Sequence, residues 1–243
     1  MQINPKTVKT QFEKSLKTYN ENAIVQKIMA EKLTEKLIGY CNYFENILEL
    51  GCGSGLLTQE IHNRISFKTF FGNDLSEKSK SYIQNIIPNA KFYTGNAKKI
   101  KPTQRMDLII SNAMFQWFKD INSVFDKNIL NKGGFLAFST FSPTNFKEIK
   151  ELTGLSLKYK SIDEIKSALS NDYEILYTEE FEHVLEFSNP LQLLAHMKNT
   201  GVNSISEKQM TFMDIKEFCV KYKEKYPKIT LTYSPIIIIC QKR

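Results

Sequence analysis

Apolar positions change their period several times along the chain, and each change marks an element. Over residues 5–39, Phe12, Leu16, Tyr19, Ala23 and Ile24 fall near one helical face, followed by Gln26, Ile28, Leu33 and Leu37. No glycine interrupts before Gly39, so the pattern predicts helix throughout. The run Ile47-Leu48-Glu49-Leu50 has the look of a buried strand, and Leu56 to Ile61 reads as a helix start. Further strands are predicted at 68–74, 91–94, 106–111 and 135–141, with the fourth apolar on both faces as a central parallel strand requires. Helices are expected at 145–152 and 162–169, and Ser76 reads as the N-cap of the helix after the second strand. Two long alternating strands, 173–187 and 229–241, enclose two more helices, 190–200 and 213–226. Strand and helix in alternation predict an α/β fold.

Composition narrows this. A chain of 243 residues with 42% hydrophobic content can bury one sizeable core, and one domain spanning 1–243 is expected. No apolar run approaches the ~20 residues of a spanning helix, and Met1 to Lys6 has no signal-peptide core, so a cytoplasmic protein off the membrane is expected. Cys41, Cys52, Cys219 and Cys240 form no C-x-x-C pair, and His62, His183 and His196 are scattered, so no metal site is expected. The net charge of +7 permits an acidic partner. Nearly all of it is lysine, with Arg64, Arg105 and Arg243 the only arginines, which is poor material for reading nucleic-acid sequence.

The densest chemistry is Glu49-Leu50-Gly51-Cys52-Gly53-Ser54-Gly55, placed between strand and helix. Dinucleotide sites want G-x-G-x-x-G; here the glycines alternate and Leu56 stands where the third would be. E-x-G-x-G-x-G resembles the first motif of the class I S-adenosylmethionine (SAM) methyltransferases. The resemblance implies that Gly51, Gly53 and Gly55 border the methionine part and that Glu49 orients its ammonium. It implies a Rossmann-like seven-stranded sheet closed by an antiparallel pair. Asp74 ends the second strand about twenty residues after the glycines, where a carboxylate can accept both ribose hydroxyls; Leu75 follows it. Gly95-Asn96-Ala97 stands where such enzymes write Gly-Asp, and the Asn96 amide oxygen can still accept a bond from adenine. Ser111 closes the fourth strand at the cofactor. Asn112, Gln116 and Trp117 follow at the open end of the sheet, where the methyl acceptor belongs; Trp117 is either a pocket wall or a packing aromatic. Ala113-Met114 replaces the paired prolines typical of enzymes that methylate exocyclic base nitrogens, and no Pro-Cys motif occurs.

A narrower resemblance spans nearly the whole chain. Phe12, Tyr19, Ala23 and Gln26, the glycine motif, Asp107 to Asn112 with Gln116-Trp117, Phe138 to Phe141, Leu194 to Gly201, Tyr226-Pro227 and Leu231 to Tyr233 resemble the malonyl-acyl-carrier-protein O-methyltransferases of biotin synthesis. Three departures stand out. Tyr19-Asn20 replaces Tyr-Asp, Gly95-Asn96 replaces Gly-Asp, and Lys228 to Thr230 interrupt Tyr-Pro-Leu-Thr-Tyr. The resemblance implies methyl transfer from SAM to the free carboxylate of a malonyl thioester on acyl carrier protein, leaving S-adenosylhomocysteine. It also implies no need for a strong general base, because a carboxylate is already ionised at pH 7. A cation or hydroxyls must hold one carboxylate oxygen. Lys198 or His196 are candidates for the first and Tyr19 for the second; Lys198 reads equally well as a solvated helix-end lysine. Residues 1–40 are expected to form a helical cap and 188–228 a helical lid. Lys208, Lys216, Lys221, Lys223 and Lys225 are candidates to meet the acidic carrier. The alternatives are a methyltransferase of another small carboxylic acid or other small molecule, a SAM- or nucleotide-binding regulator or an RNA-binding module without methyl transfer, and an NAD dehydrogenase.

Overall fold

A computed structural model describes residues 4–16, 18–201 and 211–243. The expected N-terminal helix is three: α1 (Pro5–Ser15), α2 (Tyr19–Asn22) and α3 (Ile24–Ile38). Asn4 caps α1 through Lys6 N, with Pro5 in the first turn, where a missing N–H costs nothing. The break has a polar cause. Ser15 Oγ bonds the Phe12 carbonyl at 3.1 Å, Thr18 Oγ1 bonds that of Ser15 at 3.2 Å, and Asn22 Nδ2 bonds that of Thr18 at 2.7 Å. Such side chains offer the backbone partners other than the helix ladder, and Ala23 leaves helical geometry at φ −82°, ψ 50°.

The central sheet alternates with helices as expected: β1 (Tyr43–Leu50), α4 (Leu56–Arg64), β2 (Ser66–Asp74), α5 (Ser79–Ile86), β3 (Lys91–Thr94), β4 (Met106–Ser111) and β5 (Leu130–Phe141). Then come α6 (Lys147–Thr153), α7 (Ile162–Leu169), β6 (Tyr173–Glu180), β7 (His183–Phe187), α8 (Pro190–Asn199), α9 (Phe212–Lys225), β8 (Ile229–Tyr233) and β9 (Pro235–Lys242). The strand order is β3-β2-β1-β4-β5-β9-β6, with β9 antiparallel to both its neighbours. Alternate residues feed opposite cores. Leu48, Ile109, Leu136 and Ile238 pack with Ile165 and Leu169 of α7, while Ile47, Leu108, Ala137 and Ile237 pack with Leu33 and Leu37 of α3 and Ile61 of α4.

Three expectations are corrected. Each long closing strand is two. β6 and β9 belong to the main sheet, whereas β7 and β8 pair as a separate ribbon. Pro235 has no N–H for a ladder, and the Ser234 N–H is taken by Asn145 Oδ1 at 3.0 Å, so the strand leaves the sheet there. The ribbon joins α8, α9 and α6 in a third core, built from Leu193, Met197, Phe218, Tyr222, Leu231 and Tyr233 with Phe146 and Ile149. Buried Glu148 of α6 accepts the Thr232 N–H at 3.0 Å and its hydroxyl at 2.5 Å. The turn expected at 131–134 is a bulge within β5, where the register jumps from Met106↔Leu130 to Leu108↔Phe135. Ser76 does not cap α5; its hydroxyl donates to Glu13 at 2.6 Å and accepts from Lys78 N at 3.2 Å. Among the described residues no helix is long and apolar enough to cross a membrane.

Candidate active site

A cavity opens at the C-terminal ends of β1, β2 and β4. Its floor is the glycine turn. The Gly51 and Cys52 N–H groups donate to the Asn73 carbonyl at 2.8 and 3.0 Å, pinning the turn to the end of β2. Gly53 has φ +54°, and a Cβ there would stand 2.8 Å from Phe12 Cζ of α1. At Gly51, with φ +69°, a Cβ would stand 2.7 Å from Met114 Cγ. Glycine is required at both places by conformation and by space.

Two buried carboxylates face this turn. Asp74 Oδ2 accepts the Gly53 N–H at 3.0 Å and Oδ1 accepts that of Ser76 at 2.8 Å. A carboxylate has about four acceptor positions, so further lone pairs remain for a ligand's hydroxyls. Burial raises its pKa against the pull of those bonds. Glu49 is 1% exposed and accepts the Thr58 hydroxyl at 2.5 Å. Burial pushes its pKa up to about 8; the Thr58 bond opposes this, and the charge of Asp74 adds to it. Among the described residues neither acid forms an ion pair with a side chain. Two buried acids without a protein cation suit a cationic ligand, and the ammonium and sulfonium of SAM fit that donor set. Cys52, between them, has its thiol pKa raised by burial first and by both acids next, so it stays protonated.

The expected residues divide cleanly. Tyr19, Glu49, Gly51, Gly53, Asp74, Leu75, Asn96, Ala97, Asn112, Gln116 and Trp117 all border the cavity. Gly55, Ser111, His196 and Lys198 do not. Gly55 precedes α4 at its N-cap. Ser111 is fully buried and donates to the Leu50 carbonyl at 2.7 Å, bracing β4 on β1. His196 Nε2 bonds the Tyr233 hydroxyl at 2.7 Å, and burial lowers its pKa, so the ring favours the neutral form. Lys198 is exposed in the last turn of α8. Asn96 Oδ1 accepts the Lys98 N–H at 3.0 Å and keeps one acceptor position. Asn112 is committed to the frame: Nδ2 donates to the Gln26 carbonyl at 2.8 Å, and Oδ1 accepts the Ser139 hydroxyl. Gln116 Nε2 donates to the Ala113 carbonyl at 2.5 Å. Trp117 is half-buried and packs on the core while bordering the cavity.

Sequence reasoning missed Gln26, Tyr159 and Thr200, which also line the cavity. Tyr159 lies between α6 and α7, and its oxygen accepts from Asn145 Nδ2 at 3.1 Å. Asn145 cannot reverse that bond without losing Ser234 N–H, so the Tyr159 proton points elsewhere. Burial keeps the Tyr19 and Tyr159 hydroxyls protonated. Tyr19 meets Phe12 edge-on at 5.2 Å. Asn199 of α8 donates to Asn22 of α2 at 3.5 Å, so the N-terminal helices and the late helices meet beside the cavity.

The cavity thus has acids beside the glycine turn, and its lining also holds neutral hydroxyls and amides among apolar side chains. A family model described as a methyltransferase domain matches residues 19–207. A malonyl-[acyl-carrier protein] O-methyltransferase of Calditerrivibrio nitroreducens is 36% identical across 97% of this chain and 96% of its own length. The Bacteroides thetaiotaomicron protein of the same name is 32% identical across 99% of each. In fold, the solved N-methyltransferase NodS of Bradyrhizobium japonicum, in complex with S-adenosylhomocysteine, superposes with TM-score 0.52 at 10% identity, covering 87% of this chain and 85% of that one. With its sheet order, its glycine turn and its full-length kinship, the chain belongs to the malonyl-[acyl-carrier protein] O-methyltransferase family of methyltransferases.

Proposed function

We propose that this enzyme moves the methyl group of SAM to the free carboxylate of malonyl-acyl carrier protein, giving the malonyl methyl ester used toward biotin. The observation that carries the reading is 36% identity along 97% of the chain to an enzyme of that name. Bound SAM supplies an electrophilic methyl on a sulfonium: the C–S bond breaks as the O–C bond forms, sulfur keeps the electron pair, and no proton changes hands. Glu49 would hold the ammonium, Asp74 the ribose, and Asn96 with Ala97 the adenine edge. The chain's work is then alignment and exclusion of water. Tyr19 donates a hydrogen bond to the acceptor carboxylate and leaves its other oxygen free to react.

Helices α1 and α2 form the cap, and α8 with α9 the lid of the acceptor side. The carrier is acidic, and α9 offers it lysines. Lys221 and Lys225 are paired with Glu217 and Glu151, while Lys216 and Lys223 form no ion pair among the described residues. Lys208 lies outside the described residues. A cytoplasmic setting fits the four free cysteines.

The test is an intact mass. The chain is incubated with SAM and malonyl-acyl carrier protein, and the carrier is weighed. Gain of one methyl, absent when acetyl replaces malonyl, supports carboxyl methylation. No gain with SAM still bound removes the carrier substrate and leaves a methyltransferase of another small carboxylic acid.

A further inference from the structure

Among the described residues, the buried Gln26 Oε1 has no hydrogen-bond partner. The residue sits in the first turn of α3, is 3% exposed, and borders the cavity. Its backbone is not free to drift. The Gln26 carbonyl accepts from Asn112 Nδ2 at 2.8 Å, and Asn112 is held in turn by Ser139 of β5. The side chain is therefore presented from a fixed point at the C-terminal edge of β4 and β5. A buried amide left unsatisfied is unfavourable. This one belongs to a residue that borders the cavity.

The lining decides what that is. Glu49, Asp74 and the glycine turn already serve the cationic methyl donor. The rest of the lining includes Gln26, Tyr19, Tyr159 and Thr200, all neutral, and among the described residues its only basic member is Lys9 on α1. Lys9 is paired with Glu13 at 3.9 Å. Among the described residues, an anionic acceptor there meets neutral donors and no dedicated cation.

We propose that the Gln26 carboxamide grips the acceptor's carboxylate, donating Nε2–H to the oxygen that is not methylated. A neutral amide orients the carboxylate directionally. It withdraws less electron density from the reacting oxygen than a lysine would, because charge-assisted bonds are the stronger kind. This assignment rests on the methyl-transfer reading above.

The experiment uses the full chain with malonyl-acyl carrier protein, reading kcat and KM for the carrier and SAM affinity by calorimetry. Gln26→Leu keeps the volume and loses the donor: kcat/KM for the carrier falls about tenfold or more, with SAM affinity within about twofold of the parent. Gln26→Glu falls further at pH 8, where like charges oppose, and recovers as pH drops and the acid gains a proton to donate. That pH signature would not arise from a packing role. If Gln26→Leu does not fold, Gln26→Asn, with a shortened amide, should still lose kcat/KM while binding SAM normally. Parent-like kcat/KM in Gln26→Leu overturns the assignment alone. A parallel loss of SAM affinity also overturns it, placing the amide on the methyl donor. A parent chain that cannot methylate the carrier overturns the functional reading and this inference with it.

Discussion

Ser54 of the glycine turn donates its hydroxyl to the Asn20 amide oxygen at 2.5 Å, tying α2 to the floor of the cavity. The acid expected at this place from the family pattern is an amide here, and its oxygen accepts the bond that an acid would. Asn20→Ala removes the tie. SAM affinity should weaken about fivefold, the worth of one neutral hydrogen bond, and amide exchange in α2 should quicken. Unchanged exchange would mean that α2 is held without this bond.

Glu49 makes the chain's stability depend on pH. Its pKa is about 8 when folded, against 4.5 for an ordinary glutamate, so between those values the folded chain holds the extra proton. Stability of the ligand-free chain is unpenalised by Glu49 below about 4.5 and falls as pH rises toward 8. The raised pKa of Asp74 adds a slope of the same sign. Glu49→Gln should flatten most of the decline in melting temperature between pH 5 and 8. A cationic ligand reverses the preference, so SAM binding near neutral pH should release a proton in the parent. Calorimetry in two buffers of different ionisation enthalpy detects this, and Glu49→Gln should abolish it.

Gly53→Ala tests the coupling of floor and cap. The new Cβ would land 2.8 Å from Phe12 Cζ at a φ of +54°. The conformation alone costs about 1–2 kcal/mol, and Phe12 must move with α1. Proteolysis should then cut near α1 at protease levels the parent resists, and SAM binding should fall steeply. Normal binding with an intact α1 would refute the coupling.

Tyr19→Phe keeps the ring that packs on Phe12 and removes the hydroxyl. Methyl transfer should slow about tenfold while SAM affinity stays close to the parent's. Unchanged turnover would take the Tyr19 hydroxyl out of the reaction.

The glycine-turn side of the cavity was legible because local chain geometry builds it. Glu49 and the glycines are neighbours in sequence, and Asp74 follows one helix later. The sheet was legible because Leu108 to Ile110 and Ile236 to Ile239 are apolar on both faces. The acceptor half draws Gln26, Tyr159 and Thr200 from three distant segments, and no spacing joins them. His196 resembled a cation in sequence; its partner Tyr233 lies 37 residues away, across the ribbon. The breaks at Ser234 and near Leu16 escaped for another reason. Alternation and helical period continue through them; Pro235 was one visible sign, and the rest are side-chain bonds to Ser234 N and to the carbonyls of Phe12, Ser15 and Thr18.

A lining whose only basic side chain among the described residues is the paired Lys9 has a consequence for the end of the cycle. On the proposed reading, the positive sulfur of the bound donor draws the acceptor's tail inward. Methyl transfer discharges both in one event: the carboxylate becomes an ester and the sulfonium a thioether. An unpaired lysine in that lining would keep attracting anions after the turnover was over. Neutral donors leave the esterified tail with no electrostatic hold, so the chemical step is also the step that unlatches the product.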